Sequence, residues 1–319
     1  MRILVTGGAG FIGSHTCDEL LKQNHKVMCL DNFNDYYNSD FKEENIAHNL
    51  NNPNFKLIRA DITNYASLEQ IFKQHSPEKI IHLAARAGVR PSIEDPFIYE
   101  QTNVRGTLNL LELSKIYSVK QFIFASSSSV YGCNEKVPFA ESDHTRNPVS
   151  PYAATKKSGE VLCHTYSKLY KIPTTCLRFF TVYGPGGRPD MAPYMFTKLI
   201  YENKPIKKFG NGTTKRDYTF VSDIVQGIIS SLDHEFKYEI FNLGNNHTVK
   251  LNYFIEIIEG LVGKKAVIDQ HPMQPGDVPI TYADLTKSKK LLGYNPTTSI
   301  EKGLKIFVDW FLQNRANRD

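Results

Sequence analysis

Tyr152 and Lys156 stand four residues apart in Tyr152-Ala153-Ala154-Thr155-Lys156, a spacing that can turn a phenol into a base. A free tyrosine ionises near ~10 and accepts protons poorly at neutral pH. Four residues is one helical turn, so the two side chains share a helix face. An ammonium held there favours the phenolate and lowers the phenol's pKa. Such a pair can move a proton on or off a sugar hydroxyl near neutral pH. Alone, the spacing is a weak signal, usually carried by surface helix residues. It gains meaning from a second motif at the start of the chain.

Gly7-Gly8-Ala9-Gly10-Phe11-Ile12-Gly13 follows an apolar run at Ile3-Leu4-Val5. Gly8, Gly10 and Gly13 fit G-x-G-x-x-G, and Gly7, Gly10 and Gly13 fit G-x-x-G-x-x-G. Glycines permit a tight turn and a close approach of backbone to a pyrophosphate, which rests on the helix N-terminus. A second strand-like run, Lys26 to Leu30, ends at Asp31, close to the ~20 residues expected beyond such a loop. An acid there binds both adenosine-ribose hydroxyls and repels a 2′-phosphate, which favours NAD over NADP.

The elements that would hold these residues alternate. Strands are predicted over 2–6, 26–30, 55–59, 79–83, 121–125 and 174–179, and helices to about Gln23, then over 66–75, 104–117 and 152–170. This alternation marks a parallel sheet with helices on both faces, its ligands at the strand C-termini. After about Thr181 the rhythm breaks at Gly184-Pro185-Gly186-Gly187. Helices are predicted near 194–202, 222–232, 251–262 and 300–312, in a smaller mixed α/β lobe. The division is placed at 1–180 for the dinucleotide-binding domain and 181–319 for the substrate lobe, some of whose segments return to the sheet. Residues 45–54, polar and Asn-rich, read as an exposed loop.

Of 319 residues, 41% are hydrophobic and 22% charged, enough for a large core. The net charge of +5 is scattered along the chain, which speaks against a nucleic-acid partner and suits an anionic small substrate. Five cysteines without a C-x-x-C pair argue for reduced thiols in the cytoplasm. A glycine loop beginning at residue 7 leaves no room for a signal peptide, and no apolar run approaches membrane-span length. No metal site is expected.

Taken together, the chain resembles the extended short-chain dehydrogenase/reductase superfamily over its whole length. The carrying residues are the glycine loop, His82-Leu83-Ala84-Ala85, Ser126 to Gly132 and Ser150-Pro151-Tyr152-Ala153-Ala154-Thr155-Lys156. Within it the chain looks most like nucleotide-sugar 4-epimerases, and among those like UDP-glucuronate 4-epimerases. That likeness rests on Asp31 to Tyr37, Ala87-Gly88-Val89-Arg90, Arg178 to Pro185 and Gly187-Arg188-Pro189-Asp190-Met191.

The resemblance implies a Rossmann-like doubly wound parallel sheet with a C-terminal substrate lobe. It implies tightly held NAD, contacted by Gly7, Gly10, Phe11, Ile12, Gly13, Asp31, Asn32, Asp61, Ile62, Leu83, Ala84, Ala85, Asn103, Tyr152 and Lys156. Tyr152 takes the O4 proton, Ser127 hydrogen-bonds O4, and Lys156 depresses the Tyr152 pKa and binds the nicotinamide ribose. It implies a UDP-sugar, with Arg216 on the diphosphate, Asp277 on a ribose hydroxyl, and Arg90 near the phosphates together with Arg86. Gln274 stands where UDP-galactose 4-epimerases usually carry a second arginine.

Related 4,6-dehydratases place an Asp-Glu pair just after the catalytic hydroxyl, and related decarboxylases an acid. Ser128 and Ser129 cannot do that C5 acid/base work, so the 4-keto sugar is expected to be handed back inverted. A C5 carboxylate beside a C4 ketone must be held, and Ser127, Ser128 and Thr181 are candidates. Arg188 either pairs with a substrate carboxylate or phosphate, or is pinned by Asp190. The remaining choices are UDP-glucose or UDP-N-acetylglucosamine. The resemblance also implies a homodimer, with helices near 107–117 and 152–170 paired as a four-helix bundle.

Overall fold

The structure is a computed structural model that describes residues 1–273 and 278–316. In chain order it begins β1 (Arg2–Thr6), α1 (Phe11–Lys22), β2 (Lys26–Asp31), α2 (Asp40–Ile46), β3 (Phe55–Arg59), α3 (Tyr65–His75) and β4 (Lys79–His82). Then come α4 (Val89–Glu94), α5 (Pro96–Tyr99), a π-helical turn at Glu100–Arg105, α6 (Gly106–Ile116), β5 (Gln121–Ser127), α7 (Pro151–Tyr170) and β6 (Thr174–Phe179). Next are β7 (Thr181–Tyr183), α8 (Ala192–Tyr201), β8 (Pro205–Phe209), β9 (Lys215–Phe220), α9 (Val221–Leu232) and β10 (Tyr238–Leu243). Last are β11 (Thr248–Lys250), α10 (Leu251–Val262), β12 (Val267–His271), α11 (Thr286–Leu292) and α12 (Ile300–Asn314).

A seven-stranded sheet runs in the order β10-β6-β5-β4-β1-β2-β3, every pairing parallel. Helices cover both faces of such a sheet, so its strands read as continuous apolar runs. Ile3, Leu4 and Val5 of β1, with Ile80 and Ile81 of β4, are fully buried. The chain moves outward from β1 through β2 to β3, then returns to build β4, β5 and β6 on the other side. Between β1 and β4 the direction reverses, and the loops beyond their C-terminal ends part to leave a crevice.

Strand β10 comes from the C-terminal half and pairs with β6 from Tyr238↔Thr174 to Leu243↔Phe179. One apolar cluster accordingly runs from Leu20 of α1 through Ile224 of α9 and Phe241 of β10 to Leu304 of α12. Two small sheets, β11-β9-β7 and β12-β8, complete the C-terminal part. Residues 45–54 depart from the exposed loop expected. Asn45 and Ile46 end α2, Ala47–Asn49 form a 3₁₀ turn, and Ile46 is fully buried. Asp18 of α1 fixes this turn, accepting hydrogen bonds from His48 and Asn49.

Helix α7 starts where local chemistry starts it. The Ser150 side chain accepts from the Ala153 amide at 3.1 Å, and Pro151 opens the first turn, where its missing N–H costs nothing. Tyr152 follows at the next position. Ser150→Ala is expected to destabilise the fold by about 1 kcal/mol, read as a lower midpoint in urea with an unchanged slope.

Candidate active site

One cavity of about 460 Å³ occupies the crevice. It runs from the glycine loop, past the ends of β2 and β4, to the end of β5, α7 and the segment around β7. Of the residues singled out in the sequence, Gly7, Gly10, Phe11, Ile12, Gly13, Asp31, Asn32, Ile62, Leu83, Ala84, Ala85, Ser127, Ser128, Tyr152, Lys156, Thr181 and Arg188 all line it. Asn34, Tyr36, Tyr37, Lys42, Arg86, Thr102, Ser129 and Met191 line it too.

Among the residues that do not line it, Asp61 and Asn103 stand just behind the wall. Asp61 accepts from Asn32 at 2.7 Å, and it also accepts from Thr63, so its carboxyl sits below the usual range despite burial. Asn103 lies in the π-helical turn, where its side chain accepts from the Arg86 amide and donates to the Arg86 carbonyl and to Thr155. It therefore fixes the loop after β4 to α7. Arg90 and Arg216 do not border the cavity either. The Arg90 guanidinium sits 4.7 Å from the centre of the Phe209 ring, and Arg216 donates to the Lys215 carbonyl. Gln274 and Asp277 lie outside the described residues.

The glycine loop fits a pyrophosphate. A Cβ at Gly13 would lie 2.1 Å from the Gly7 carbonyl oxygen, and one at Gly7 (φ +67°) 2.7 Å from the Ala84 amide. Gly10 caps α1 with no side-chain hydrogen bond, so the first amides of the helix keep their hydrogens for an anion. At the end of β2, Asp31 is buried. Its Oδ1 accepts from the Phe33 amide at 2.9 Å and from Lys42 Nζ at 3.1 Å. Lys42 was not foreseen, because its eleven-residue separation from Asp31 follows no periodic pattern.

At the opposite end, Ser127 faces the Tyr152 phenol, and its hydroxyl donates to Ser129 Oγ at 3.1 Å. The surrounding protein desolvates the phenol and raises its pKa, while the Ser127 hydroxyl and the charge of Arg188 act the other way. The sequence reading gave a lowering role to Lys156. Lys156 Nζ turns instead to the Ala125 carbonyl, 2.7 Å away, and burial brings its own pKa down to about 8. Spacing by four places two side chains on one helix face but leaves open which neighbour each reaches. Both still border the same cavity.

Arg188 is held on several sides. Its Nε donates to Asp190 Oδ1 at 2.9 Å, and its Nη2 donates to Asp190 Oδ2. Its guanidinium lies 5.0 Å from the centre of the Tyr36 ring. Behind the cavity, Arg178 and Glu160 form an ion pair with both side chains almost wholly buried. Glu160 also accepts from Ser126 at 2.7 Å, which locks the end of β5 to α7 one turn beyond Lys156. His82 sits between Thr6 and Thr107, and burial lowers its pKa to about 3. It is a neutral strut rather than an acid or base.

The family model described as GDP-mannose 4,6 dehydratase matches residues 4–307. A UDP-glucuronate 4-epimerase of Thermodesulfobacterium geofontis is 48% identical over 312 residues, covering 98% of this chain and 96% of that one. The crystal structure of the Bacillus cereus UDP-glucuronic acid 4-epimerase, in complex with UDP-glucuronic acid and NAD, is similar with a TM-score of 0.93 and 39% identity, covering 98% of this chain and 99% of the other. A UDP-glucose 4-epimerase of Thermotoga maritima, crystallised with UDP-glucose, has a TM-score of 0.90 at 35% identity, again over 98% and 99% of the two chains. Relatives handling a charged and a neutral sugar therefore share this backbone closely, and side chains must separate them.

Proposed function

We propose that this chain, which belongs to the extended short-chain dehydrogenases/reductases and within them to the nucleotide-sugar 4-epimerases, inverts C4 of UDP-glucuronate and UDP-galacturonate through a transient 4-keto sugar. The observation that carries this reading is the gathering of Ser127, Tyr152, Lys156, Thr181 and Arg188 around one cavity that begins at the glycine loop. When bound along that loop and against Asp31, NAD supplies a reversible hydride acceptor for C4.

The chain's own residues do the rest. Tyr152 accepts the O4 proton and later returns it, and Ser127 holds O4 by hydrogen bonding. Lys156, anchored on the Ala125 carbonyl, holds the ribose beside the nicotinamide. Thr181, Ser128 and Arg188 grip the C5 carboxylate, so that the β-keto acid keeps its CO₂. An arginine fork suits a planar carboxylate better than a point charge does. Ser128 and Ser129 supply no C5 base, which favours return of the intermediate over loss of water. Arg216 and Arg90 remain the proposed contacts of the diphosphate, with Asp277 on a ribose hydroxyl and Asn103 and Asp61 supporting the cofactor wall.

NMR of a mixture of enzyme and UDP-glucuronate tests this: the axial and equatorial H4 signals should equilibrate with no CO₂ released. A decarboxylated or 4-keto-6-deoxy product would overturn it, and preferential conversion of UDP-glucose or UDP-N-acetylglucosamine would change the sugar.

We also infer a homodimer and a cytoplasmic setting. Apolar side chains stay exposed along α5 and α7, with Phe97 at 82% and Leu169 at 65%, where a second copy would cover them. Phe97→Glu is expected to shift the mass measured by light scattering from two chains to one. All five thiols are free, four of them buried, which suits a reducing compartment. Among the described residues no helix is long and apolar enough to cross a membrane.

A further inference from the structure

We propose that Tyr36 is a positioning and specificity-determining residue, whose ring clasps Arg86 and Arg188 and so presents Arg188 to the sugar carboxylate. This rests on the UDP-glucuronate reading above and adds to it a residue that contributes no group to the chemistry.

Three loops far apart in sequence converge on this one ring. Tyr36 belongs to the loop between β2 and α2, Arg86 to the loop after β4, and Arg188 to the segment after β7. The Arg188 and Arg86 guanidiniums lie 5.0 and 5.2 Å from the centre of the Tyr36 ring, and all three residues border the cavity. Two like charges gathered at one end of a site repel. An aromatic ring against both offsets part of that repulsion.

The ring is itself fixed. Its hydroxyl donates to the Ala87 carbonyl at 2.8 Å and lies 3.5 Å from Arg188 Nη2. Its backbone is aimed by a succession of side-chain turns: the Phe33 amide donates to Asp31, the Asn34 amide to Asn32, and the Tyr36 amide to Asn34. Such turns impose local geometry without a helix or a strand. They begin at the Asp31 carboxylate, the residue proposed for the adenosine ribose, so the loop that receives the cofactor also sets the substrate arginine. Asp190 takes the Nε side of the Arg188 fork, and a sugar carboxylate would take the Nη1 side. Tyr99 extends the group toward the base. Its hydroxyl shares the Ala87 carbonyl, and its ring meets Tyr152 edge-on at 6.3 Å.

Initial rates on the NAD-loaded enzyme test the clasp, with UDP as a competitive inhibitor reporting the nucleotide half of the site. Tyr36→Leu is expected to raise KM for UDP-glucuronate about tenfold, with kcat kept within about twofold and the inhibition constant of UDP unchanged. Tyr36→Phe, which keeps the ring and loses the hydroxyl, is expected to stay within about threefold of the unmodified KM. Equal weakening of UDP and UDP-glucuronate would mean a general loosening and overturn the clasp. So would an unchanged KM in the leucine variant, or a loss in the phenylalanine variant as large as in the leucine one. Failure of the underlying epimerase reading would show separately, as no turnover of UDP-glucuronate by the unmodified enzyme, and would take this proposal with it.

Discussion

Tyr152→Phe is expected to lower the turnover number by about three orders of magnitude, the middle to upper part of the range for a positioned general base, while UDP and NAD still bind. The substitution deletes one oxygen. No neighbouring group can take over its work: Ser127 is an unactivated hydroxyl already bonded to Ser129, and Lys156 is turned to the Ala125 carbonyl. Affinity should survive because the ring stays. Its edge-on contact with Tyr99 needs no hydroxyl. Product formation followed by NMR, with the inhibition constant of UDP measured alongside, separates the two quantities. An undiminished rate would remove Tyr152 from the reaction.

Arg188→Gln carries the second-largest expected effect, and it is double. First, the fork proposed for the sugar carboxylate is lost. A hydrogen bond to a charged group contributes about 1.5–3 kcal/mol, so KM for UDP-glucuronate should rise roughly 10- to 100-fold. Second, the guanidinium is the positive charge that favours the Tyr152 phenolate in this structure. Removing it raises the phenol's pKa. The base works only when deprotonated, so activity rises with pH through that pKa, and the acidic limb of the rate profile must move to higher pH. Because burial holds that phenol above its ordinary value, kinetics of both enzymes between pH 6 and pH 11 would decide the point. A changed KM with an unmoved acidic limb would leave Arg188 as a substrate contact only.

The strands and most helices were legible because each announces itself locally. Ile3-Leu4-Val5 before a glycine cluster, or Thr174 to Phe179 after a long helix, need no partner to be recognised, and the structure has strands at 2–6 and 174–179. What escaped depends on neighbours far along the chain. Helix α2 shows no period, because few of its residues are apolar; its turn is settled by Asp18 and by Asn45, which reaches the Ala9 carbonyl in the glycine loop. The Lys42–Asp31 pair and the Tyr36 clasp are likewise products of the fold. Arg188 is a further case: the sequence places Lys156 one turn from Tyr152, but only the assembled crevice brings Arg188, thirty-six positions beyond Tyr152, to bear on the same phenol.

Strand β10, paired along the whole length of β6, also sets a schedule for synthesis. A ribosome releases the chain from its N-terminus, and folding units close as they emerge. Here the seventh strand arrives only after about residue 243 has left the exit tunnel. Until then β6 has a bare margin, a template for pairing with another nascent chain. An expression fragment ended near residue 180 would carry that exposed border permanently, and should come out of cells as aggregate rather than as a free-standing nucleotide-binding unit.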